Sequence, residues 1–227
     1  MEEPRNGRER LLLASAELFA EEGTHNVSLR RINERARMRN SSAAQYHFGD
    51  REGLIRALIA QHQPQVDARR HAILDVYESE PTAGFWGLAN ALVQPWVPKL
   101  TSGEGGPGYL QVLSDLLNSP RTVLPYDLFV DPNDSMARWK QVLDPLLSSD
   151  VKRLHRRFTA YQLTVTDLAR RARSGDGGRD DRLFVSNLVD TVSAVLAAPT
   201  SRGTKRLLDE RRQVTSPRST ASKATDD

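Results

Sequence analysis

At 227 residues the chain can bury a sizeable core, as one large domain or two modest ones. Its 38% hydrophobic and 27% charged residues describe a globular protein with polar segments, and the absence of cysteine excludes disulfides, thiolate catalysis and cysteine-ligated metal. The formal net charge is +3, and 27 of the 32 basic residues are arginine, which suits bidentate phosphate contacts, although codon composition explains that bias equally well.

Leu12, Ala16 and Phe19, with Leu11 and Leu18, mark one apolar face and predict a first helix from Arg5 to Glu22, ended by Gly23. The run Leu11–Ala16 behind Arg5, Arg8 and Arg10 has the look of a signal peptide. It is short, however, Glu2, Glu3 and Glu9 sit in its leader, and helical patterning continues through Glu17, Leu18 and Phe19. No apolar run approaches the ~18 residues of a membrane span, so a cytoplasmic protein without membrane contact is expected. Ser28 can cap the next helix with Val27 packing back on it, and Leu29, Ile32 and Ala36 lie on its buried side. Asn40 or Ser41 offers a cap for a third short helix through Tyr46. Asp50 caps a fourth, in which Leu54, Ile55, Leu58 and Ile59 face inward.

Pro64 predicts a kink or break, with helical sequence resuming from Gln65 to Ser79. Pro81 and Thr82 start a helix that fades at Pro95 and Pro98. The stretch from Thr101 to Gly108 is a flexible loop by composition, and shorter helices cover 109–118 and 134–147. From Asp150 to Arg173, Val151, Leu154, Phe158, Tyr161, Val165, Leu168 and Ala172 follow a 3-4 spacing, which predicts one continuous helix with a regular seam. A last helix at 180–198 carries Val185, Leu188, Val192 and Val195 in one row, widened by Phe184, Val189 and Leu196. These two helices suit a helical bundle, or merely close the monomer's own core. From Thr200 the absence of an apolar period predicts disorder. No strand-like alternation occurs, so the fold class is all-α.

Between Ser28 and Arg56, arginines 30, 31, 35, 37, 39, 51 and 56 stand against Glu34, Asp50 and Glu52, a local charge of +4. Two short helices carrying concentrated positive charge are the footprint of a helix-turn-helix seeking phosphates. Residues 10–59 resemble the DNA-binding domain of the TetR family of bacterial one-component transcriptional regulators. The resemblance is carried by Ala16, Leu18-Phe19, Gly23, Val27-Ser28-Leu29, Ile32, Ala36, Tyr46-His47-Phe48-Gly49 and Arg51-Glu52-Gly53-Leu54. Two features depart from that pattern: Arg37 stands where the family has glycine, and the stretch from Ala36 to Phe48 is one residue longer.

The resemblance implies a helix-turn-helix DNA-binding domain over 1–60, a helical ligand-binding and dimerisation domain over 61–199, and a disordered tail over 200–227. It implies a homodimeric, ligand-responsive repressor of a palindromic operator, released by an unknown small molecule. Candidate DNA-binding residues are Ser28, Arg39, Asn40, Ser41, Ser42, Gln45, Tyr46, His47 and Arg51; Asn and Gln can bond adenine edges and Arg can read guanine or hold phosphate. Ser28 and Asn40 can equally be simple caps, and Tyr46 and Phe48 can pack between helices. Trp86, Trp96, Tyr109, Trp139 and Tyr161 are candidates for a ligand pocket, or plain core. Phe158, Tyr161, Val165, Leu188, Val192 and Val195 are the candidate dimer interface. The five histidines (25, 47, 62, 71 and 155) have no metal-ligand spacing, and no catalytic constellation or cofactor motif is present. The competing readings are a helical protein-interaction scaffold and a nonspecific architectural DNA binder.

Overall fold

Asn6 starts the first helix with a reciprocal cap: its side-chain oxygen accepts from the Glu9 N–H at 2.9 Å, and the Glu9 carboxylate accepts from the Asn6 N–H at 3.1 Å. The computed structural model describes residues 6–101, 103–118, 134–174 and 180–215, and among them the chain is all-helical, with eleven α-helices and no strand. Helices α1 (Gly7–Glu22), α2 (Leu29–Arg35) and α3 (Ala43–Phe48) gather on the first turns of α4 (Arg51–Ser79) around Leu11, Phe19, Ile32, Ala44, Leu54 and Leu58. Then follow α5 (Gly84–Val93), α6 (Gly106–Asn118), α7 (Ser135–Leu143), α8 (Ser149–Arg153), α9 (Arg156–Arg173), α10 (Arg182–Ala197) and α11 (Arg202–Thr215). Their core is built on α6 against α9 and α5 against α10. No single helix among the described residues is long and apolar enough to cross a membrane.

With 29 residues, α4 is about 43 Å long and runs through both halves of the molecule, so the boundary expected at residue 60 falls inside it. It is continuous through Pro64, so of the kink or break expected there the break does not occur. Pro64 and Ala60, whose carbonyl loses its helical partner, are both exposed, so water can serve that carbonyl. On the opposite side His62 and Val66 are buried and hold the helix to the core.

The segment 101–108, expected to be a flexible loop, instead ends in the first turn of α6. Its glycines serve close approach. A Cβ at Gly108 would lie 2.1 Å from the Ala16 carbonyl oxygen, and one at Gly105 would lie 2.5 Å from the Ala16 Cβ, so α6 sits backbone to backbone on α1.

The continuous helix expected from Asp150 to Arg173 is broken at His155, which adopts a left-handed conformation with φ 55°. The break turns Arg156 onto the carbonyls of Ala198 and Pro199 at the end of α10, and Arg157 onto Asp144. The seam is used inside the chain. Tyr161, Val165, Leu188 and Val192, expected at a dimer interface, are buried in the monomer because α6 and α5 cover them. Of that candidate set only Phe158 and Val195 remain accessible. Disorder expected from residue 200 also gives way to a helix over Arg202–Thr215, where Leu208 is buried and Arg212 pairs with Asp150 at 2.8 Å. Residues 216–227 lie outside the described residues.

One buried polar cluster braces α4 against the turn Gln94–Leu100. The Lys99 ammonium lies 3.1 Å from His62 Nδ1 and donates to Gln65 Oε1 at 2.6 Å, while the His62 ring packs on Tyr109 at 5.0 Å. Burial, and then the Lys99 charge, push the His62 pKa down to about 4 from 6.5. The unfolded chain therefore takes up this proton at higher pH than the folded one, so stability is full above pH 6.5 and falls as the pH drops towards 4. Urea unfolding should show a loss of about 2 kcal/mol between about pH 7.5 and pH 5, absent in His62→Gln. An equal loss in the variant would place the acid sensitivity on other groups.

Candidate nucleic-acid interface

The interface is built on the turn between α2 and α3. Ser28 caps α2, its hydroxyl oxygen accepting from the Arg31 N–H at 3.3 Å. Arg37 leaves α2 in the left-handed region at φ 50°, a conformation that costs an ordinary residue about 1–2 kcal/mol. Two side chains hold the turn in that shape. From outside, the Arg10 guanidinium on α1 donates to the carbonyls of Ala36 and Arg37, the latter at 3.0 Å. From inside, the buried Asn33 amide donates to the Ser41 carbonyl at 2.7 Å, and its oxygen accepts from the Ala44 N–H at 2.9 Å. Sequence reasoning missed both. Asn33 left a trace, since asparagine is a poor helix former and stands on the inward side of α2 beside Ile32. Arg10 left none.

Helix α3 starts at Ala43 and runs to Phe48, later at both ends than expected, and Ser42 makes no side-chain cap. Ala43 and Ala44 face the core while Gln45, Tyr46 and His47 are exposed. Tyr46 is 83% exposed, its ring edge-on to His47 at 5.2 Å. Phe48 turns inward beneath Arg8, whose guanidinium lies 5.3 Å from the ring centre. Tyr46 thus faces solvent and Phe48 packs, where the sequence left both open. Arg39, Ser41 and Ser42 are exposed beside α3. Asn40 Oδ1 accepts from the Ser42 N–H at 2.9 Å, so Asn40 shapes the turn and keeps only its amide N–H groups for a base or phosphate.

The positive charge is unevenly available. Arg30 pairs with Glu34 at 3.0 Å, Arg31 with Glu22, and Arg35 with Glu21 at 2.8 Å, which neutralises three of the seven arginines. Arg37, Arg39 and Arg56 are exposed and pair with no acid among the described residues. Arg51, expected at the DNA backbone, points inward instead. Its Nη1 donates to the Val27 carbonyl at 3.3 Å, Nη2 is buried, and desolvation holds its pKa below the usual guanidinium value.

The aromatic candidates divide. Trp96 meets Tyr161 edge-on at 5.6 Å and donates to the Tyr109 hydroxyl at 3.4 Å, which in turn donates to Gln63 Oε1 at 2.8 Å. Trp139 donates to the Leu88 carbonyl at 2.8 Å and, with Tyr161 and Phe158, lines a groove of about 390 Å³. Trp86 stands apart on α5, half-exposed and bonded to Asp190 at 3.0 Å.

Residues 11–58, which run from α1 into α4, match the family model described as bacterial regulatory proteins, tetR family. No curated protein matches the chain.

Arg37→Gly should remove the strain of the left-handed turn while adding glycine's unfolded-state entropy. The expected net gain is about 0.5–1 kcal/mol, read as a higher urea midpoint at unchanged slope. A loss of stability would mean that the Arg37 side chain contributes more than its backbone strain costs.

Proposed function

Because this chain is a DNA-binding transcriptional regulator of the TetR family, we propose that it is a homodimeric repressor that reads a palindromic operator and leaves it when a small molecule binds. The observation that carries this reading is the outward face of α3. Gln45, Tyr46 and His47 are exposed there, and among the described residues their side chains make no hydrogen bond. A short helix fixed by Asn33 and Arg10 keeps those groups in one orientation, which base reading requires. Gln45 can bond an adenine edge with both amide atoms, and Tyr46 and His47 flank it. Arg37 and Arg39 supply phosphate contacts, with Ser28, Asn40, Ser41 and Ser42 as further donors to the backbone.

Reading two half-sites in successive major grooves requires two α3 helices about 34 Å apart, one helical turn of DNA, and we place the joint between the two copies on the outer sides of α9 and α10. Leu183, at the start of α10, is 82% exposed, and Val195 lies half-buried farther along the same helix. Control by a ligand passes through α6. Asp115 on that helix accepts from the Thr24 N–H and hydroxyl, both at 2.7 Å, and Gly108 lies on Ala16. A ligand that shifts α6 therefore shifts α1 and the turn that Arg10 holds.

Selection of bound sequences from random duplex DNA should return a palindrome; recovery of unrelated sequences would sink the operator reading. Gln45→Ala should cost about 1–3 kcal/mol of specific affinity in gel shifts and leave nonspecific binding intact. Arg39→Ala should weaken all sequences alike and flatten the salt dependence by about one unit of slope. Leu183→Glu should give monomers by sedimentation, and a folded variant that remains dimeric would move the interface elsewhere.

A further inference from the structure

The groove of about 390 Å³ runs between α7 and α9, with Met136, Ala137 and Trp139 on one wall, Phe158 and Tyr161 on the other, and Leu117 at the end of α6. Its volume falls in the range of small-molecule sites. The floor is preformed, because Trp139 and Tyr161 are buried and each is fixed by a partner of its own, the Leu88 carbonyl and the Trp96 ring. The α7 wall is anchored at its start. Arg70, wholly buried on α4, donates from Nη1 to Ser135 Oγ at 2.7 Å and from Nε to the Ala91 carbonyl at 3.2 Å, and Ser135 Oγ donates in turn to Asp67 Oδ1. The rim is open, and there Phe158 leaves 48% of its surface in water beside an apolar floor. A ring so placed gains by being covered.

Among the described residues the lining carries three charges, on Asp134, Lys140 and Arg157. The protein answers two of them. Arg157 pairs with Asp144. Asp134 caps α7, its Oδ1 accepting from the Met136 N–H at 2.9 Å, and its charge favours the charged form of the buried Arg70. Lys140 is exposed at the edge of the groove and pairs with no acid among the described residues. An entering molecule therefore meets an apolar bed with one uncompensated positive charge at its side. A neutral molecule gains the bed alone, a cation is opposed, and an anion gains both bed and charge.

We propose that the groove between α7 and α9 binds a small aromatic acid, its ring system lying between Trp139, Phe158 and Tyr161 and its anionic head beside Lys140. The proposal rests on the ligand-responsive reading and gives that ligand a shape and a charge. Flat rings suit the groove because three of its walls are themselves rings, which stack or meet edge to face. Leu117 gives the site a route to the DNA-binding unit. It stands on the last turn of α6, two residues beyond Asp115, which holds Thr24 at the end of α1. A molecule filling the groove presses on the helix that carries this contact.

The test is calorimetric titration of the full chain, at low salt and about pH 7.5, with three probes of one shape: 2-naphthoate, 2-naphthalenemethanol and 2-naphthylmethylammonium. The naphthoate should bind at least ~5-fold more tightly than the ammonium compound, with the alcohol between them, and the gap should narrow as salt is added. Lys140→Glu, a change at an exposed site, should reverse the order. Ala137→Trp, which fills the groove, should weaken all three probes at least ~10-fold. Equal binding of the three probes, or an order that survives Lys140→Glu, would overturn the proposal. Unchanged binding to a folded Ala137→Trp would place the probes elsewhere and overturn it too; should that variant fail to fold, the comparison with Lys140→Glu decides alone. None of these results touches the gel shift with operator DNA, so failure here is distinguishable from failure of the regulatory reading.

Discussion

At the crossing of α1 and α6 there is no room for a side chain on the α6 side, and this contact governs what the rest of the molecule can do. Gly108 rests on the backbone of Ala16, and Asp115, two turns along, is bonded to Thr24 at the end of α1. Packed interiors do not deform gradually, so two backbones in contact move together or separate. The N-terminal helices are therefore attached to the C-terminal ones at two places, by α4 running through both and by α6 lying across α1. The first fixes distance and the second fixes orientation.

The turn between α2 and α3 shows how a strained element is kept. Arg37 occupies a backbone conformation that glycine would adopt more easily, and the energy to hold it comes from Arg10, Asn33 and the burial of Ala36, Ala43 and Ala44. The result is a turn that carries a cation next to α3. Arg39 and Arg56 add to that charge, whereas Arg30, Arg31 and Arg35 face acids of the protein itself. The net charge of the segment overstates what is available to phosphate, because three arginines tie α2 to α1 or to itself.

The sequence reveals the N-terminal unit because its signals are local: apolar positions at helical spacing, Ser28 and Asp50 as caps, and Gly23 and Gly49 at the ends. What it hides depends on which element lies opposite. The glycines at 105 and 108 read as flexibility until Ala16 is seen against them. The regular row from Tyr161 to Leu168 marks a buried face correctly, but spacing alone does not tell a partner in the same chain from a partner in a second copy. Composition similarly obscures the single anchoring leucine, Leu208, within a polar tail. Arg51 matched the family's pattern in position and yet turns inward, because the Val27 carbonyl lies within its reach.

Arg70 joins α4, α5 and α7 through one charged group, and this bears on how the protein can diverge. Replacing Ser135 alone would leave Nη1 bare in the core, and replacing Arg70 alone would leave the Ser135 hydroxyl without its donor and Asp67 without the cation beside it. Single substitutions at these positions cross a stability valley, while concerted ones need not. Drift at residues 67, 70 and 135 is therefore expected as a block. A lineage that changes one of the three is expected to change the others with it, so the joint between α4, α5 and α7 should alter in jumps, with intermediate forms scarce.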